Sequence, residues 1–184
     1  MIAMIAAWSA PAWAQSDVSN AVESLKTSGS IVLFRHALAP GGGDPPGFVL
    51  GDCRTQRNLS EEGRDQAKRL GANLLQRSAL VGAVWHSQWC RARDTAALAF
   101  PAMSAPTLRA EPAFNSFFGK PESEPVQTEI ARKLLMQWRG PGALVVVTHQ
   151  VNITAITGEI PQSGEGIVIL RNGDRLIVQG RIPP

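Results

Sequence analysis

The feature that most constrains the fold of this chain is a short apolar run that stops abruptly at two basic residues. Residues 31–34 read Ile-Val-Leu-Phe, and Arg35 and His36 follow directly. A run of this length, β-branched at its start, predicts a strand over 31–35 that is buried on both faces of a sheet. Ligands of open α/β sheets bind beyond the carboxyl ends of the strands, so Arg35 and His36 are candidates for binding an anion there.

Two later runs repeat this pattern. Residues 80–85 predict a second strand that ends at His86, and residues 144–148 predict a third that ends at His149. Between the strands, apolar residues recur at helical spacing, and Ser60 is the predicted N-cap of one helix. Helices are predicted over residues 18–27, 61–76, 90–99, 128–139 and 152–157, and a hairpin over 167–178. Strands that alternate with helices predict an α/β, three-layer sandwich with a mostly parallel central sheet and helices on both faces.

Composition excludes several classes of protein. The chain has 184 residues, 44% hydrophobic and 18% charged, which predicts a globular domain with a sizeable core. The net charge is +3 and the pI is near 9.3, but no block of five or more Lys and Arg occurs. We therefore expect no nucleic-acid partner, and a small anionic substrate fits the mild basic excess better.

The first residues of the chain resemble a secretory signal. Residues 1–14 are almost wholly apolar and small, and Ala12-Trp13-Ala14 matches the A-x-A cleavage pattern, although no Lys or Arg precedes the run. This predicts a signal peptide over 1–14, a single mature domain over 15–184, and a periplasmic or secreted protein. The alternative is a short N-terminal helix or a membrane tether, because the run is shorter than the ~20 residues that span a bilayer.

The chain has two cysteines, Cys53 and Cys90. In an oxidising compartment they would pair, and the bond would then tether the loop after Pro40 to the segment that carries Arg91. In the cytosol they would be two free thiols. Two cysteines without histidine partners do not form a closed zinc site, so we expect no metal and no other cofactor.

Three short motifs carry a resemblance to a known family. They are Leu33-Phe34-Arg35-His36, then Ser87-x-x-x-Arg91-Ala92-x-x-Thr95-Ala96, and Val146-Val147-Thr148-His149; Leu59-Ser60-x-x-Gly63-x-x-Gln66-Ala67 adds a matching helix start. In this order and spacing they resemble the histidine phosphatase superfamily, also called phosphoglycerate mutase-like, which includes exported bacterial members. The resemblance spans about residues 30–180.

The resemblance implies a metal-independent phosphatase that forms a phosphohistidine. His36 would be the nucleophile, and Arg35 and Arg91 would bind the phosphoryl oxygens with paired N–H donors. His149, if protonated, would add a further donor. Apart from the resemblance, Arg54, Arg57 and Arg93 are candidates to extend the anion pocket, and the alternative for each is a solvated surface charge. The acid that protonates the leaving group usually follows the second motif in this family, where the candidate in this chain is Glu111.

Other functions stay open at this point. Glycine commonly follows both histidines in the family, whereas this chain has Ala37 and Gln150. A non-catalytic member that binds phosphate or another polyanion is therefore one alternative, and a phosphomutase or phosphoprotein phosphatase is another. An exported phosphatase would meet sugar phosphates or lipopolysaccharide phosphates. The glycine- and proline-rich segment 40–47 is interpreted as a lid or spacer, and the oligomeric state is left open.

Overall fold

The computed structural model describes residues 20–184, so the predicted signal peptide over 1–14 lies outside the described residues. A six-stranded sheet forms the middle of the molecule, in the order β3-β2-β4-β1-β5-β6. The strands are β1 (Ile31–Arg35), β2 (Val81–His86), β3 (Leu108–Ala110), β4 (Ala143–Thr148), β5 (Gly166–Asn172) and β6 (Arg175–Ile182). The first four are parallel to one another, and β5 and β6 run antiparallel to their neighbours.

Helices cover both faces of this sheet. They are α1 (Glu61–Gln76), α2 (Cys90–Ala99), α3 (Glu124–Gln137) and α4 (Gln150–Thr157), and residues 20–24 are also helical. Alternate residues of β1 point to opposite faces, because side chains in a strand have a period of two. Val32 and Phe34 pack with the apolar faces of α1 and α2, whereas Ile31 and Leu33 pack with those of α3 and α4. The predicted three-layer α/β fold is confirmed.

The local predictions agree with the structure where a pattern and its boundary coincide. β1 and α2 have the predicted bounds, and Ser60 caps α1 by accepting a hydrogen bond from the Gly63 N–H at 3.0 Å. The prediction for α3 was wrong at its start, since the helix begins at Glu124 with a proline in its first turn instead of at 128. Strand β3 was missed, because three residues are too few to show a period.

The two cysteines are joined. Cys53, in a short 3-10 helix (Cys53–Thr55), forms a disulfide with Cys90, the first residue of α2. The bond links the segment that follows β1 to the helix that follows β2. Within residues 20–184, no helix has the length and apolar character that a membrane span requires.

Candidate active site

Strand register brings the two motif histidines side by side. β1 and β4 are parallel neighbours in which Arg35 is paired with Thr148, so the next residue of each chain segment is a histidine. Pairing continues one step beyond the strand, since the His36 N–H donates to the Thr148 carbonyl at 2.9 Å. The rings of His36 and His149 are 5.4 Å apart between centroids and lie edge to face. Both side chains are buried, and both line the same cavity.

The protonation of His36 follows from its two hydrogen-bond partners. Nδ1 lies 2.8 Å from the carbonyl oxygen of Ala37, which can only accept, so Nδ1 carries the proton. Nε2 accepts a hydrogen bond at 3.2 Å from Nε of Arg91, which can only donate, so Nε2 is unprotonated and its lone pair faces the guanidinium. The imidazole is therefore neutral and has one unprotonated nitrogen that faces an arginine.

The environment of His36 keeps the ring neutral. Burial lowers its pKa from 6.5 to about 3; the hydrogen bond to Ala37 opposes this shift, while the charges of Arg91, Arg57 and Arg35 add to it. A histidine in this state is uncharged near neutral pH, with its one proton on Nδ1 and none on Nε2. This is the state that nucleophilic attack requires.

His149 is held by a polar network at the start of α4. It is the N-cap residue of this helix, and its Nε2 is hydrogen-bonded to Oγ of Ser87 at 2.8 Å. The Trp89 N–H donates to the same hydroxyl at 3.2 Å. Burial first, then the charges of neighbouring groups, lower the pKa of His149 well below 6.5. This environment therefore favours the neutral form of His149, whereas the sequence analysis considered a protonated one.

Two further arginines line the cavity. Arg35 donates from Nη1 to the Pro161 carbonyl at 3.1 Å, and its Nε is buried without a hydrogen-bond partner among the described residues. Arg57 donates from Nε to the Gly43 carbonyl at 2.7 Å and from Nη1 to the Ala39 carbonyl. Burial lowers the pKa of both guanidinium groups. The structure thus brings Arg35, Arg57 and Arg91 to the pocket in which His36 and His149 lie.

Asp44 is a residue of this cavity that the sequence analysis did not single out. Its carboxylate accepts from Nη1 and Nη2 of Arg91 at 2.8 and 3.1 Å, from Nε1 of Trp89 at 2.9 Å and from the Arg57 N–H at 3.1 Å. Burial alone would raise the pKa of Asp44, but the hydrogen bonds from Arg91, Arg57 and Trp89 outweigh it and lower the pKa. The signal was present in Gly43-Asp44-Pro45, yet glycine and proline there indicate only a loop.

Glu111, the predicted acid, lies elsewhere. It is the N-cap of a 3-10 helix (Pro112–Phe114), where its side chain accepts from the Ala113 N–H. It also pairs with Arg109 at 3.5 Å. Glu111 is not on the cavity wall; among the residues that the structure describes, Asp44 is the one carboxylate there. The expectation that Glu111 donates a proton gains no support from this placement.

Several motif residues hold the site together without lining it. The Thr95 hydroxyl donates to the Arg91 carbonyl at 2.7 Å and accepts from the Ala37 N–H at 3.0 Å, so it ties α2 to the chain after His36. Gly63 is required because a Cβ there would lie 2.0 Å from the Leu38 carbonyl oxygen. Both residues fix the segment that leaves β1.

The cavity is open and of mixed character. Its volume is about 890 Å³, large enough for a phosphoryl group and a sizeable leaving group. Its polar lining groups His36, Arg91 and His149 are buried. Leu50 and Phe118 are exposed and, with Phe48, form an apolar rim; Lys120 also lines the cavity. A few polar groups below apolar walls are typical of a small-molecule site.

The disulfide fixes one side of this cavity to the other. Cys90 directly precedes Arg91, and its N–H donates to Oε1 of Gln56 at 3.0 Å. Cys53 lies four residues before Arg57. The bond therefore holds the segment with Arg57 against the helix start that carries Arg91. No group of three or more His, Cys, Asp or Glu within residues 20–184 is placed to bind a metal ion.

Comparison with known proteins places the chain in one family. A model of the histidine phosphatase superfamily (branch 1) matches residues 31–141. No curated protein matches the chain in sequence. Three solved structures show how far the fold is shared.

The protein histidine phosphatase SixA in complex with tungstate has a TM-score of 0.59 and is 14% identical; the match covers 84% of this chain and 97% of that one. A phosphoglycerate mutase from Thermus thermophilus has a TM-score of 0.57 and is 18% identical, with 84% and 99% covered. The alpha-ribazole phosphatase from Shigella flexneri has a TM-score of 0.51 and is 16% identical, with 81% and 94% covered.

Proposed function

The chain belongs to the histidine phosphatase superfamily, and from this premise we propose that it is a metal-independent phosphomonoester hydrolase that works through a phosphohistidine on His36. The observation that carries the proposal is the neutral His36 ring, whose unprotonated Nε2 lies 3.2 Å from Nε of Arg91. An unprotonated nucleophile beside a guanidinium is the pair of groups that phosphoryl transfer needs.

The first step transfers the phosphoryl group to the protein. The lone pair of His36 Nε2 forms a bond to phosphorus, and the bond from phosphorus to the ester oxygen breaks. The electron pair leaves with that oxygen, which takes a proton from water in the open cavity. Negative charge on the three equatorial oxygens is met by Arg35, Arg57 and Arg91, and such preorganised donors typically supply a few kcal/mol each.

The second step restores the enzyme. Water attacks the phosphorus of the phosphohistidine, and the bond from phosphorus to Nε2 breaks, with its electron pair returning to Nε2. One proton of that water neutralises the hydroxide left by the first step, the other stays on the product, and inorganic phosphate leaves. The ring keeps its proton on Nδ1 throughout, because the Ala37 carbonyl holds it there. His36 therefore returns to the state in which it began, and no metal ion takes part.

We propose that the substrate is a sugar phosphate or a phosphate of lipopolysaccharide, met after export. The rim of Phe48, Leu50 and Phe118 offers flat and apolar surfaces on which a sugar ring can pack above the phosphoryl pocket. Export rests on the apolar residues 1–14 and the A-x-A pattern, and the disulfide between Cys53 and Cys90 is in keeping with an oxidising compartment.

Hydrolysis of para-nitrophenyl phosphate by the mature protein tests this proposal. We expect turnover that survives EDTA and is lost in His36→Gln. His86→Gln is the matched control, because His86 is a buried histidine at the end of β2 that does not line the cavity. It should keep most of the activity.

Three results would count against the proposal. Activity retained in His36→Gln would exclude phosphohistidine catalysis. Absence of turnover by the wild type between pH 4 and 8, with inorganic phosphate still bound, would favour the non-catalytic alternative. Transfer of phosphate to a second sugar or acid, in place of release to water, would favour a phosphomutase.

A further inference from the structure

Asp44 has more hydrogen bonds than a loop carboxylate needs. It accepts four, from Arg91, Trp89 and the backbone of Arg57, and its side chain is 8% exposed. An exposed loop aspartate is usually solvated, and surface ion pairs stabilise little. A buried carboxylate with every partner satisfied is instead a fixed part of the structure.

The partner that matters is Arg91. A guanidinium has five N–H donors in a rigid plane. In Arg91, one N–H on each Nη binds Asp44, Nη1 also donates to the Arg57 carbonyl at 3.3 Å, and Nε donates to Nε2 of His36. Rotation about the terminal bonds of the side chain would break these contacts at once. The carboxylate therefore determines which edge of the guanidinium faces the nucleophile.

We propose that Asp44 is a positioning residue that orients the Arg91 guanidinium for the transition state of phosphoryl transfer at His36. The inference rests on the proposed phosphatase reaction and deepens it. Asp44 touches neither His36 nor, in this role, the substrate; it acts through Arg91. The glycine- and proline-rich segment 40–47 thus supplies a carboxylate to the site, whereas the sequence analysis interpreted it as a lid or spacer.

The other two partners explain why the carboxylate stays in place. Trp89 is the N-cap residue of α2, next to the disulfide-bonded Cys90, and the Arg57 N–H belongs to the segment that the same disulfide holds. Neither donor has to be given up when a phosphate arrives. If substrate binding displaced the carboxylate, its hydrogen bonds to Trp89 and Arg57 would have to break, so these bonds favour a carboxylate that stays in place.

Two other roles for Asp44 make different predictions. If the carboxylate competes with the substrate for Arg91, the wild type should bind oxyanions more weakly than a variant that lacks the charge of Asp44. A carboxylate that donates a proton would matter only for leaving groups that need one. Hydrogen bonds from Arg91, Arg57 and Trp89 lower the pKa of Asp44, which disfavours the protonated form that such a donor requires.

The variant Asp44→Asn separates these roles, because it keeps the size of the side chain and removes its charge. We expect kcat/KM to fall about 20- to 100-fold, by the same factor for para-nitrophenyl phosphate and for glycerol 1-phosphate. Affinity for orthovanadate, which mimics the transition state, should fall at least about fivefold more than affinity for inorganic phosphate. Calorimetry measures both affinities without turnover.

Asp52→Asn is the matched control, since Asp52 lies in the same loop region, pairs with Arg54 at the surface and does not line the cavity. It should stay within about twofold of wild type. Trp89→Phe is the second variant, needed if Asp44→Asn does not fold. It removes one donor to Asp44 and leaves the ion pair, so vanadate affinity should fall in the same direction by a smaller factor.

Three outcomes would overturn this role. Tighter binding of both oxyanions by Asp44→Asn would make the carboxylate a competitor. A loss confined to glycerol 1-phosphate would make it a proton donor. Equal losses for vanadate and phosphate, together with a lower melting temperature, would make it only structural. If the wild type fails to turn over, the phosphatase proposal fails and the transition-state role of Asp44 fails with it; vanadate affinity that still depends on Asp44 would then show that the carboxylate orients Arg91 for oxyanion binding alone.

Discussion

The cavity has two walls that are built in different ways. The inner wall consists of Arg35, His36, Arg91 and His149, which stand at the ends of β1 and β4 and at the start of α2. The outer wall consists of the loop residues 41–57 that line the cavity, with residues 116–120 at the rim. Hydrogen bonds between neighbouring strands fix the inner wall. Arg57, Asp44 and the disulfide fix the outer wall.

This difference means that the catalytic residues and the residues that select the substrate are held by different parts of the structure. In the inner wall, a side chain such as His149 moves only if its strand moves. Because β4 is fully buried and closely packed, such a movement is costly. In the outer wall, a change in loop sequence or conformation is enough to move a side chain. The fold therefore positions His36, His149 and the backbone of Arg91, the loop adds Asp44 to orient the Arg91 side chain, and the rim is free to suit a particular leaving group.

The largest expected effect on activity distinguishes Arg91 of the inner wall from Arg57 of the outer wall. Arg91→Lys should lower kcat/KM for para-nitrophenyl phosphate by about a hundredfold or more, since an ammonium cannot bind Asp44 and face His36 at the same time. Arg57→Lys should lower it by less than about tenfold, because Nε and Nη1 of Arg57 are occupied by loop carbonyls. Equal losses in the two variants would show that the walls do not differ in this way.

The next effect concerns the bond between the walls. Replacement of both Cys53 and Cys90 by serine should lower the free energy of unfolding by about 3 kcal/mol, since the bond closes a sequence separation of 37 residues. We expect kcat/KM to fall only about fivefold, because the inner wall is held by the sheet. Chemical denaturation and steady-state kinetics measure the two effects. Equal thiol titres of the unfolded wild type with and without reductant would show that the bond does not form.

A smaller effect appears on acidification. The pKa of His36 is about 3 in the folded protein and near 6.5 in an unfolded chain, so below about pH 6.5 the unfolded state binds more protons. The free energy of unfolding should therefore fall as the pH falls from about 6.5 to 3, and the fall should be shallower in His36→Gln. Denaturant midpoints at pH 7 and 4.5 measure it. A His36 imidazole that titrates near 6.5 by NMR would contradict this expectation.

The smallest effect is expected at the rim. Lys120→Met should raise KM about twofold at low ionic strength and leave it unchanged at high salt, because an exposed charge is screened. Lys133→Met is the matched control, since Lys133 is an exposed lysine on α3 that pairs with Glu129. A salt-independent change in KM would mean that Lys120 contacts the substrate directly.

The sequence predicts the residues of the inner wall better than those of the outer wall. The apolar runs that end at His36 and His149 predict the inner wall, because parallel neighbours bring equivalent positions together. The motif from Ser87 to Ala96 puts Arg91 in the first turn of the helix that follows β2, and from there its side chain lines the cavity. Asp44 was not predictable, since its role depends on contacts with residues 47 and 45 positions away in the chain. Glu111 shows the converse, because a carboxylate in a suitable stretch of sequence can serve as a helix cap.

The partner of His36 Nδ1 has a consequence for how this site tolerates change. That partner is the main-chain oxygen of Ala37, and Thr95 binds the main-chain N–H of the same residue. Apart from proline, which lacks the N–H, no substitution at position 37 removes either group, so the alanine where the family commonly has glycine leaves the nucleophile intact. What position 37 requires is smallness, because the residue is fully buried. Loss of the correct tautomer would require a different backbone conformation at position 37, which a single side-chain substitution does not readily produce.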